Sequence, residues 1–109
     1  MPHYAVIADH SPDICPGSNA RSRARAMEGT GAENMQRVAA EVGLSYVLEP
    51  QHLDPSHRVI AVVDAPSIEA VNTFVFDTGL FQWNTVETYA LTPIADLMAR
   101  LMDVPTVFD

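Results

Sequence analysis

Residues 59–63 read Val-Ile-Ala-Val-Val, five apolar side chains in a row with three valines among them. No alternation of polar and apolar side chains interrupts the run. It is β-branched and short, so it reads as a strand with apolar material on both faces. That strand constrains everything else, because the fold must cover its sheet twice. The chain has 109 residues and 48% hydrophobic composition, enough for one core, so residues 1–109 are read as a single domain.

The segments on either side supply one of the two covers. Tyr4 to Asp9 is mostly apolar and predicts a first strand. Ser11 to Ser18 holds two Pro and a Gly and predicts a loop, with Ser18 or Asn19 positioned to cap a helix. That helix is weak between Gly29 and Gly31, where a break or kink is expected. From Asn34 the periodicity is clear: Met35, Val38, Ala39 and Val42 share one face, and Gly43 ends the helix.

Leu44, Tyr46 and Leu48 alternate with Ser45, Val47 and Glu49 and predict a second strand, followed by a turn over Pro50 to Ser56. After the Val59–Val63 strand, Asp64, Pro66 and Ser67 open a helix carrying Ile68, Val71 and Val75, with Gly79 at its end. Phe81 to Leu91 predicts the last strand. Thr92 as cap and Pro93 as first residue then begin a final helix striped with Ile94, Leu97, Met98 and Leu101.

The expected order is therefore β-α-β-β-α-β with a C-terminal helix, an α+β fold of ferredoxin-like type. Two helices cover one face of such a sheet. The other face is expected to meet the same face of a second copy, giving a homodimer through the sheet. On element order over Tyr4 to Leu91, the chain resembles the dimeric α+β barrel superfamily. It is also similar to small uncharacterised bacterial proteins of that fold with a His and a Cys-Pro after the first strand, here His10 and Cys15-Pro16. The resemblance implies a dimeric α/β barrel, in a fold that hosts unrelated chemistries. It also implies the sheet order 4-1-3-2, fully antiparallel.

Charge narrows the partners. Fourteen Asp and Glu stand against six Arg and no Lys, a formal charge of −8. Such a chain disfavours nucleic acid and anionic membrane as partners. Arg21, Arg23 and Arg25 form the one local positive cluster, read as a solvated helix face. The opening MPHYAVIADH lacks a basic leader, no apolar run approaches a membrane span, and the single Cys15 suits a reducing compartment, so a cytoplasmic location is expected.

Chain direction then suggests a site. In the expected topology the end of the first strand, the hairpin between the second and third, and the start of the fourth share one edge of the sheet. His10 and Cys15, His52 and His57, and Trp83 occupy those three places. Imidazole and thiolate are donors that zinc, copper and nickel prefer, so His10, Cys15, His52 and His57 are the candidate metal ligands. Asp9, Asp13 and Glu49 are near enough in sequence to act as acceptors for a ligand imidazole. Alternatively, Cys15 is a thiolate nucleophile or redox thiol, or a small buried hydrophobe.

Other chemistries also fit parts of the chain. Trp83 and Tyr46, with Tyr4, Phe74, Phe76, Phe81 and the methionines, could line an apolar cofactor or substrate pocket between sheet and helices. The resemblance implies a cofactor-free monooxygenase or a heme-binding barrel for such a pocket, with His10 as the axial ligand of a heme. Pro2, freed by removal of Met1, resembles the N-terminal proline of tautomerases, where burial could bring its amine into general-base range. A purely structural or regulatory dimer is the remaining reading. Phosphate-binding glycine loops are not indicated, since GTGAEN at residues 29–34 lacks the lysine and the preceding strand.

Overall fold

The computed structural model describes residues 2–108. It is a small α+β fold with a four-stranded sheet in the order β2-β3-β1-β4. The strands are β1 (His3–Asp9), β2 (Ser45–Leu53), β3 (Arg58–Asp64) and β4 (Thr85–Ala90). Every neighbouring pair is antiparallel, so β1 and β2 run the same way. At this level the architecture is compatible with a ferredoxin-like fold.

The helical segment after β1 breaks at the weak stretch expected between Gly29 and Gly31. It forms two helices, α1 (Ala20–Gly29) and α2 (Ala32–Val42). The break falls where the sequence is weakest, and packing explains the glycine at its edge. A Cβ on Gly29 would stand 2.1 Å from the carbonyl oxygen of Thr78, so only glycine lets the end of α1 approach that backbone so closely. α3 (Ile68–Asp77) and α4 (Ile94–Leu101) complete the chain. Ser67 caps α3 by accepting from the Ala70 N–H, and Gly43 closes α2 at φ 75°.

Two strand boundaries move. β2 continues through Pro50 to Leu53, where a turn is expected, because an edge strand tolerates a proline and absorbs it with register shifts after Tyr46 and Leu48. β4 starts at Thr85, not Phe81; residues 80–82 make a 3₁₀ turn instead, entered through Gly79 at φ 73°. Phe81 leaves the sheet to stack on Phe76, with ring centroids 5.1 Å apart.

The core lies between the sheet and helices α2 and α3. Tyr4 and Val6 of β1 and Val63 of β3 meet Val38 and Ala39 of α2 and Val71, Phe74 and Val75 of α3. On the opposite face, Ala5 and Ile7 pair across with Val62 and Ile60 on one side and with Tyr89 and Glu87 on the other. Helix α4 buries none of its residues; Ile94 is 70% and Met98 52% exposed. Among the described residues, no helix is long and apolar enough to cross a membrane.

Candidate metal centre

Strand register brings the site together. The last pairs of the sheet at this end are Asp9 with Arg58 and Asp9 with Thr85. One rung further, His10 stands opposite His57 on one side and Asn84 on the other. The His10 N–H donates to the His57 carbonyl at 3.3 Å, continuing the ladder past its formal end. Alternation along β1 and β3 puts both imidazoles on the face of Tyr4, Val6, Ala61 and Val63, the helix side. Their ring centroids are 5.3 Å apart, edge to face.

Cys15 arrives from the loop that follows β1. A short 3₁₀ turn at Pro12–Ile14 ends on it, and the Gly17 N–H donates to its sulfur at 3.4 Å. The loop is tied at many points. Ser11 donates to the Asp13 carboxylate, which holds that carboxyl below its ordinary range. Ser18 Oγ donates to the Pro12 carbonyl, and Asn19 Nδ2 donates to that of Asp13. Arg23, from the cluster read as a solvated face, donates from Nε and Nη2 to the carbonyls of Pro16 and Gly17 at 2.8 and 2.7 Å.

Asn19 does double duty, because its Oδ1 also accepts from the Ser22 N–H as the cap of α1. Replacing Asn19 with alanine is therefore expected to cost about 1 kcal/mol of stability from the lost cap. It should also make the Cys15 loop easier to cleave. Urea denaturation beside limited proteolysis measures both, and an unchanged midpoint with an unchanged cleavage rate would contradict this.

One nitrogen or sulfur from each of His10, Cys15 and His57 lies within 4.8 Å of the others, close enough to hold a metal ion. All three residues are half-buried. A closed tetrahedral shell of such ligands has donors about 3.5 Å apart, so a modest side-chain rotation would close the site. Nε2 of His10 is buried without a hydrogen-bond partner, which is the state of a nitrogen that offers its lone pair to an ion. The donor set therefore fits a transition metal.

His52, expected beside them, stands apart. It sits near the end of the edge strand β2, 53% exposed, and pairs with the Asp54 carboxylate. The same-direction course of β1 and β2 places it at the right end of the sheet, but β3 lies between the two strands. The acceptor behind the His10 imidazole also differs from expectation. Asp9, Asp13 and Glu49 do not serve it; His10 Nδ1 lies 2.9 Å from the Asn84 Oδ1. Asn84 carried no signal in the sequence, and only the β1–β4 register reveals it.

Trp83 lies next to this centre, whereas Tyr46 stands opposite Val63, toward the other end of the sheet. Trp83 is not part of β4 but sits in the turn before it, its indole edge-on to His10 at 5.7 Å. The indole N–H is buried without an acceptor. Trp83, Tyr46, Phe74, Met35 and Val59 help line an apolar cavity of about 200 Å³ between sheet and helices. Burial raises the Tyr46 phenol above its ordinary range, with Glu49 adding to the effect. Tyr4 belongs to the core instead, whereas Phe76 and Phe81 are surface residues. Pro2 is exposed, at the other end of β1 from His10.

Compared with known proteins, the chain matches no protein-family model and no curated protein sequence.

Proposed function

We propose that this protein binds a transition metal, with His10, Cys15 and His57 as ligands and zinc, copper or nickel as the candidate ions. The observation that carries the reading is the convergence of two imidazoles and the lone thiol within 4.8 Å. They come from a strand end, a loop and a hairpin, 47 positions apart in sequence at the extremes. Three protein ligands leave one coordination position for water or a small molecule. His52 is left out of the ligand set, since it lies on the edge strand with β3 between it and β1 and does not join the cluster.

Elemental analysis of untagged protein is the direct test. Near-stoichiometric zinc, copper or nickel is expected, and metal at 100 times its dissociation constant should stabilise the fold by about 2.7 kcal/mol. Protein that carries none of the three, and gains no thermal stability when they are added, would end the reading.

A small-molecule enzyme is the second reading, favoured by the cavity beside Trp83 and its unpartnered indole N–H. The cavity is of the size that holds a benzene-like molecule and lies below the roughly 300 Å³ where drug-sized ligands begin. A cofactor-free reaction on a small aromatic fits that volume. A heme does not.

The same proposal includes a cytoplasmic homodimer through the open sheet face. Ala5, Ile7, Ile60 and Val62 make an apolar centre on that face, and a twofold axis through it would supply the second cover that β3 requires. Ile7→Glu is expected to convert a dimer into a monomer in light scattering. A wild-type chain that runs as a monomer at high concentration would remove this part of the proposal.

A further inference from the structure

We infer that Asn84 is a positioning residue that fixes His10 in the one tautomer able to bind a metal through Nε2. The inference rests on the metal reading for its purpose but not for its geometry.

The amide of Asn84 can be oriented from its own hydrogen bonds. Its Nδ2 donates to the Leu80 carbonyl at 3.1 Å, and a carbonyl can only accept. The nitrogen end of the amide is thereby assigned, and Oδ1 must be the atom facing His10 at 2.9 Å. Oδ1 is an acceptor only, so the nitrogen opposite it has to carry a hydrogen. His10 is therefore protonated at Nδ1. In a neutral imidazole the other nitrogen, Nε2, then holds the lone pair.

Nε2 is the buried atom without a partner. One hydrogen-bond chain thus runs from the Leu80 carbonyl through the Asn84 amide to His10 Nδ1, and leaves the lone pair on Nε2. The opposite tautomer would set two acceptors, Nδ1 and Oδ1, against each other at hydrogen-bond distance. That penalty falls on it alone, because Nε2 lacks a partner in either form.

The placement has a backbone cause. Asn84 and His10 are the rung that follows Asp9–Thr85, so their side chains share the helix side of the sheet. The 3₁₀ turn at Leu80–Gln82 brings the Leu80 carbonyl back over that rung. A neutral amide also differs from the carboxylate more often found behind a metal-bound histidine, since it orients the ring without adding a negative charge.

Two measurements test this on the full-length protein. Nitrogen-15 spectra of the metal-free chain at about pH 8.5, where imidazole is ordinarily neutral, report the His10 tautomer directly. Protonation at Nδ1 is expected in the wild type and a mixture in Asn84→Leu. Zinc affinity by chelator competition should fall about 10- to 100-fold in Asn84→Leu.

Asn84→Ala, which adds no bulk, repeats the comparison should the leucine variant fail to fold. Wild-type His10 protonated at Nε2 would overturn the inference. So would zinc affinity that is unchanged in both Asn84→Leu and Asn84→Ala. If the wild type binds none of zinc, copper and nickel, the metal reading fails, and the tautomer spectrum alone then decides the role of Asn84.

Discussion

Cys15→Ala is expected to weaken metal binding by at least about two orders of magnitude, and His57→Ala by a similar factor. Complete structural zinc sites of four ligands hold the ion with roughly 10–16 kcal/mol, so each ligand carries on the order of 3 kcal/mol. The thiolate is the one anionic donor of the three. Without it two neutral imidazoles remain, a set that water competes with effectively. His52→Ala is the control, because His52 is exposed and held by Asp54, and its affinity should stay within roughly twofold. Chelator competition across the three variants gives the answer. Equal losses at Cys15 and His52, or no loss at Cys15, would show that the ion is held elsewhere.

Phe74→Ala should be the most damaging core substitution of comparable chemistry, at about 3–5 kcal/mol. Phe74 is 3% exposed, sits in the middle of the core cluster and meets Tyr46 edge-on with centroids 6.5 Å apart. It also lines the apolar cavity, so truncation enlarges a void that already exists and that the rigid sheet cannot fill. Against a typical total of about 5–15 kcal/mol, such a loss leaves a marginal fold. Phe76 is its natural comparison, two residues along the same helix but 67% exposed. Phe76→Ala should cost less than about 1 kcal/mol. Urea denaturation of both variants decides the matter; near-equal losses would mean that the core is centred elsewhere.

The coarse fold was legible because its signals are local. The valine-rich run at 59–63, the helical spacing of Met35, Val38, Ala39 and Val42, and the stop at Gly43 are each written within a few residues. What escaped was set by packing between distant segments. The passage of β2 through Pro50 depends on its being an edge strand, with β3 on one side only.

The candidate site divides the same way. Chain direction alone placed His10, Cys15 and His57 at one end. It could not separate His57, on the same rung as His10 across β1 and β3, from His52 on the far strand. Asn84 was invisible because an asparagine before a strand ordinarily reads as turn chemistry.

The rung beyond the sheet's formal end has a wider consequence. A misalignment of β3 against β1 by a single residue would send His57 to the opposite side from His10, because neighbouring side chains alternate. The ligands would then be lost with no ligand altered. Val63 and Val71, wholly enclosed and outside the candidate ligand set, thus act as guardians of the proposed chemistry. Damage to them can silence a centre they never touch.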